Sequence, residues 1–149
     1  MGTVHLVRAR AFARRNASDL AALIPRAFRP DDPDATNRVV ILGRDGLDCH
    51  YVQAIYGPGP EGGILCEVAS GAYYTLPDHD RYFPLSDARL SALRVLDFTW
   101  PDKERNLVRA YPPGPPDYDE LALTMLTAFH AAFGSGVRKG FSTEILCES

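Results

Sequence analysis

Asp78-His79-Asp80 is the point in this chain where an imidazole stands between two carboxylates, the residue types of an acid–base or metal-binding cluster. Consecutive side chains in an extended loop diverge, and no second His or Cys stands at ligand spacing, so a solvated loop is expected there. Cys49-His50 has the composition of a thiolate–imidazolium pair. It falls in a predicted strand, where successive side chains take opposite faces and cannot meet. His130 follows Phe129 on a predicted helix and is expected at the surface or satisfied within the fold. Gly57 to Gly63 is glycine-rich, but it joins two predicted strands. A phosphate loop needs a helix N-terminus behind it, and Pro58 and Pro60 remove amide donors. A hairpin loop fits better. Neither Ser86 nor Ser142 lies in a nucleophile elbow. No catalytic residue, metal-ligand set or cofactor site is assigned, and the chain is expected not to be an enzyme.

The 149 residues, 46% of them apolar, suit one domain with a core of its own. Cys49, Cys66 and Cys147 are odd in number and widely spaced, which favours free thiols in a reducing, cytoplasmic setting. Arginine outnumbers lysine heavily, with only Lys103 and Lys139, a bias that suggests a GC-rich bacterial source. Net charge is −3 and uneven: Arg8, Arg10, Arg14 and Arg15 all precede the first acid, Asp19. The acidic remainder disfavours nucleic acid as the main partner. The basic start lacks the apolar core of a secretory signal, and Leu6 breaks the myristoylation pattern. A solvated helix face is expected, over a targeting presequence or a lipid anchor. No segment is apolar for the length of a membrane span.

The elements follow from pattern. Asn16 or Ser18 can cap a helix with Leu20, Leu23 and Ile24 on its apolar face, which Pro25 ends or kinks. An earlier start would add Phe12 and Ala13 to that face. Residues 1–15 are thus either a basic extension or the start of this helix, and 16–149 form the domain. Val39–Leu42, Cys49–Tyr56 and Ile64–Ala69 read as three strands of an antiparallel meander, with a turn at Arg44-Asp45-Gly46. Ser86 and Asp87 open a helix running to about Leu96, with Leu85 stapled onto Leu90. Asn106–Tyr111 is a fourth strand. Pro112–Pro116 reads as a stiff connector before a helix, over a PxxP ligand. That last helix is opened by the pair Asp117 and Glu120, carries the stripe Tyr118, Leu121, Met125, Phe129 and Phe133, and is closed by Gly134. The class is α+β: four or five antiparallel strands with helices mainly on one face, in the order α-β-β-β-α-β-(β)-α.

Tyr51, Tyr56, Tyr73, Tyr74, Tyr82 and Trp100 concentrate aromatic surface in and just after the sheet. Core burial accounts for most of them. Tyr56, Tyr73, Tyr74 and Trp100 are the candidate partner-binding residues, since amphipathic aromatics anchor contacts well. Tyr73-Tyr74 leads, because in an extended segment one of the two must face outward.

Val52-Gln53 in one strand, Glu67-Val68 in the next, Leu96-Asp97-Phe98-x-x-Pro101 at a helix end, Asn106, and Phe133-Gly134 recur in one order. Together they resemble the type III secretion chaperone-like (TY-Chap) domain, over roughly residues 16–146. Asp97-Phe98 replaces that family's Gly-Trp. The resemblance implies a small, cofactor-free, commonly dimeric protein that holds a partner polypeptide partly extended. An acidic immunity or inhibitor protein, plugging a folded basic toxin or enzyme, is the alternative.

Overall fold

The computed structural model describes residues 2–28, 37–44, 47–57, 63–69, 85–101, 106–112, 117–134 and 142–148, with the backbone alone for 2–5, 37–38, 44, 47–50 and 142–148. Three helices and five strands follow in the order α1 (Gly2–Phe28), β1 (Asn37–Arg44), β2 (Leu47–Tyr56), β3 (Ile64–Val68), α2 (Asp87–Val95), β4 (Leu107–Tyr111), α3 (Tyr118–Phe133) and β5 (Ser142–Glu148). The strands form one antiparallel sheet, β4-β3-β2-β1-β5, with α1 and α3 packed on it and α2 packed on those two helices. Among the described residues no helix is long and apolar enough to cross a membrane.

The α+β class and the meander β1-β2-β3 stand as the residues predict. The fifth strand does not lie between β4 and the long helix, where the sequence leaves room for one. It follows α3 and pairs with β1 at the far edge, Val40 opposite Ile145 and Leu42 opposite Thr143. The connection that contains α3 therefore crosses the whole sheet, between edge strands β4 and β5 that point the same way.

The first helix is longer than its pattern suggests. Leu6, Ala9, Phe12 and Ala13 are buried together with Leu20, Ile24, Ala27 and Phe28, so one apolar stripe runs from the basic start to the end. Asn16 and Ser18 consequently lie inside the helix and cap nothing; the Asn16 side-chain amide donates back to the Phe12 carbonyl at 2.8 Å. Leu23 is only half-buried. Pro25 does not end the helix either. It forfeits one backbone bond, and the full burial of Ala27 and Phe28 holds the last turn in place.

Helix α3 packs mainly on α1, in antiparallel sense: the Phe12 ring lies tilted against His130 at 5.1 Å towards one end, and Phe28 meets Tyr118 at 6.5 Å near the other. The expected stripe is present, with Leu121, Met125 and Phe129 buried and Tyr118 and Phe133 at its margin. Burial extends further round the helix, to Ala122, Leu126, Ala128, Ala131 and Ala132, because α3 packs on the sheet and on both other helices. Small alanines permit that close approach.

Both later helices begin as their residues dictate. The Ser86 hydroxyl accepts from the Arg89 amide, and the Asp117 carboxylate accepts from the Glu120 amide at 3.0 Å. Helix α2 ends in a Schellman motif: Asp97 N–H donates to Arg94 O at 3.0 Å, and Phe98 N–H to Leu93 O at 3.1 Å. Phe98 and Leu93 are both buried, the apolar contact this motif favours. Asp97 occupies the left-handed position, φ 67°, which an L-residue holds at a cost that glycine avoids. Replacing Asp97 with Gly is expected to stabilise the domain by about 0.5–1 kcal/mol. An unchanged or lowered melting temperature would show that the aspartate side chain compensates.

Candidate functional site

The two faces of the sheet differ in kind. Inward-pointing Val40, Leu42, Val52, Ala54, Cys66 and Val68 are fully buried under the helices. On the opposite face the register aligns Val39 with Ile55, Ile55 with Leu65, and Leu65 with Ala110, a four-strand row made only of apolar residues. Val39, Ile55 and Leu65 are half-buried and Ala110 is exposed. Leu146 stands opposite Val39 in the β5 pairing, which carries the same row to the last strand. The neighbouring row runs Ile41, Gln53, Glu67, Val108, and in it the Gln53 amide donates to the Glu67 carboxylate. Among the described residues no helix lies on this face.

Of the aromatic candidates, the two described, Tyr56 and Trp100, do not meet on that face. Tyr56 points to the helix side, half-buried, with its ring 5.3 Å from Phe28 at the margin of the core. Trp100 packs against the core just beyond Thr99, whose backbone bridges Val108 on the free edge of β4. Tyr56 shares its cross-strand row with Ile64 and Tyr111, whereas Trp100 adjoins the Leu107 end of β4. The two sites are thus separated by the length of that strand, roughly 13 Å. Tyr73 and Tyr74 lie outside the described residues, as do Tyr82, Asp78-His79-Asp80, and the interiors of the Arg44–Gly46 turn, the Gly57–Gly63 loop and the Pro112–Pro116 run. The loop base is present, with Gly57 N–H donating to Gly63 O at 3.1 Å, the closure of a hairpin.

A polar cluster that spacing does not reveal lies under α3. The Arg109 guanidinium pairs with the Glu120 carboxylate at 3.4 Å and donates to the Thr124 hydroxyl at 3.4 Å and to the Leu96 carbonyl at 3.3 Å. Thr124 in turn donates to Glu120 at 3.1 Å. Glu120 therefore does not complete a capping box; its side chain is taken up by Arg109 and Thr124. The guanidinium also lies 4.7 Å over the Tyr111 ring. One arginine so ties the edge strand β4, the end of α2 and the first turns of α3 together. The alternation β4 presents, with Arg109 and Tyr111 on the core side, marks both as inward residues. Their partners come from across more than ten residues of chain, which no local pattern displays.

This cluster lacks a reactive group. Burial pushes the Cys66 thiol up to about 12, with only partial opposition from Arg109. Burial likewise pushes the Tyr111 phenol up to about 12, though the nearby Thr124 hydroxyl and Arg109 act to lower it. The Tyr111 oxygen is buried and, by geometry, has no hydrogen-bond partner among the described residues. Contact with Thr124 is thus close without being a well-aligned bond. Both groups stay protonated at neutral pH, so neither is a nucleophile or base. In a Cys49→Ser/Cys147→Ser background, Cys66 is expected to resist a thiol reagent at pH 8 until the domain unfolds. Rapid labelling of the native form would contradict its burial. Because both acids are held neutral by folding, their contribution to stability is intact below about pH 9 and is lost as pH rises towards about 12.

Cys49 and His50 occupy successive positions of β2. His130 is half-buried and lies against Phe12. Among the described residues no three His, Cys, Asp or Glu side chains are grouped to hold a metal ion. The sequence marks noted above are architectural here: Gln53 and Glu67 pair across strands, Asp97 turns the chain, and buried Asn106 donates to the Tyr51 hydroxyl at 2.9 Å. No family model, curated protein or solved structure matches this chain.

Proposed function

We propose that this chain is a non-catalytic polypeptide-binding domain of chaperone type, which holds a partner segment in extended form against the helix-free face of its sheet. The row Val39–Ile55–Leu65–Ala110 carries the proposal: it is apolar across four strands, on a side no described helix covers. Covering what remains accessible of Val39, Ile55 and Leu65 is worth on the order of 1 kcal/mol apiece. That sum, about 3 kcal/mol before the cost of association, makes the row alone a weak site, suited to exchange without ATP. Further affinity is available at β5, the outermost strand, whose far edge has no described neighbour and offers backbone donors and acceptors to an added strand.

The resemblance to type III secretion chaperone-like domains supports this reading. In keeping with it, the domain works in a bacterial cytoplasm as a homodimer, which doubles the surface offered to a long client. Tyr56 and Trp100 then act as supports at the two ends of the core. The inhibitor alternative gains nothing from the exposed acids at Asp87, Asp117 and Asp119, which lie at helix N-termini where capping and the helix dipole account for them.

The test uses a permanently unfolded, carboxymethylated model protein as client. Binding that persists in about 0.5 M salt and falls about tenfold or more in Ile55→Glu and Leu65→Glu, at unchanged melting temperature, is the expected result. Salt-sensitive binding restricted to folded basic proteins, indifferent to both substitutions, would overturn it.

A further inference from the structure

The solvent face of α1 gathers four exposed arginines within eight residues, Arg8 to Arg15. At 100° per residue, Val7 and Ala11 form its central ridge, with Arg10 and Arg14 along one flank and Arg8 and Arg15 along the other. Val7 is 62% exposed, and all four arginines are exposed. None of the four is ion-paired among the described residues; the ion pair found there is Arg109–Glu120. Over the length of α1, five arginines face one aspartate, whereas the rest of the chain has eleven basic and eighteen acidic residues. The opposite face of the helix, with Leu6, Ala9, Phe12 and Ala13, is core, so this surface is held rigidly in place.

From this geometry we infer that the α1 face docks an acidic, amphipathic polypeptide segment, with an apolar side chain over Val7 and Ala11 and carboxylates on both arginine flanks. Arginine forks bind carboxylates in a bidentate manner, and an apolar centre between two basic rims matches a segment with apolar residues between acids. Nucleic acid fits less well. Four arginines within one stretch of about 10 Å meet few phosphates, and the acidic remainder of the molecule repels a polyanion that extends past them. A lipid surface fits less well too, because among the described residues the ridge has one large exposed apolar side chain, Val7, and the helix's apolar stripe is already spent on the core.

The inference deepens the polypeptide-binding proposal, since it specifies partner chemistry, but it uses the opposite side of the molecule. The two can fail separately. The probe is a fluorescent peptide of four Glu-Glu-Leu repeats added to the full chain, with Gln-Gln-Leu repeats as the neutral control. Binding to the acidic peptide alone is expected, weakening about tenfold between roughly 20 and 200 mM salt. Arg10→Gln with Arg14→Gln should weaken it about fivefold or more at unchanged melting temperature and unchanged capture of the unfolded client. Arg10→Glu with Arg14→Glu should instead favour Lys-Lys-Leu repeats. Equal binding of the neutral peptide would overturn the inference. So would tighter binding of a single-stranded oligonucleotide or of phosphatidylserine vesicles, or arginine-dependent self-association that occupies the face.

Discussion

A chain lacking residues 1–15 is expected to lose its cooperative thermal transition. Those residues supply Leu6, Ala9, Phe12 and Ala13 to the core, and Phe12 also covers His130 on α3. Removing one large buried side chain costs about 2–5 kcal/mol, and a domain's whole stability is about 5–15 kcal/mol. Loss of Leu6 and Phe12 together, with the flank of α3 they cover laid open to water, consumes most of that margin. The two readings of this segment therefore separate cleanly by circular dichroism. A truncated chain that melts within a few degrees of the full one would make residues 1–15 an accessory extension, and the observed burial irrelevant to stability.

Phe129→Ala is the second large effect, at about 3–5 kcal/mol. The ring is 1% exposed, lies edge-on to Phe133 at 5.5 Å, and belongs to a helix packed on the sheet and on both other helices. With partners on every side, the surroundings cannot collapse into the space without moving α3, which places the cost at the upper end. For a chain of this size the fall in melting temperature is roughly 10 °C or more. Destabilisation below about 1 kcal/mol would mean that α3 repacks freely, contrary to its buried position.

How far the fold is legible in the sequence depends on whether the deciding contact is local. The strands at Val39–Leu42, Cys49–Tyr56 and Ile64–Ala69, the caps Ser86 and Asp117 and the stop at Gly134 follow from neighbours within four residues, and each appears within a residue or two of its expected place. Two expectations yield to distant contacts. Pro25 stays helical because Ala27 and Phe28 are buried by other elements. β5 forms because β1, about a hundred residues earlier, offers an edge; with acids at Glu144 and Glu148, the segment has little apolar pattern of its own. The candidate surface obeys the same division. Val39–Leu42 and Ile64–Cys66 are apolar at every position, so the sequence shows strands there without showing that Val39 and Leu65 face outward and Val40 and Cys66 inward. The alignment of Val39, Ile55 and Leu65 into one row depends on register, which the loops set. Aromatic content is less decisive: Tyr56 and Trp100 pack at the margin of the core along different strands, and Tyr73 and Tyr74 lie outside the described residues.

The polypeptide-binding proposal is tested most directly by replacing Leu65 with a photo-crosslinking residue and irradiating the chain with the unfolded client. Ser91, exposed on α2, carries the same group in a control. The proposal predicts crosslinks from position 65 that an excess of unlabelled client abolishes, and none above background from position 91. Crosslinks from position 91 alone, or equally from both, would contradict it and return the sheet's outer face to the role of plain protein surface.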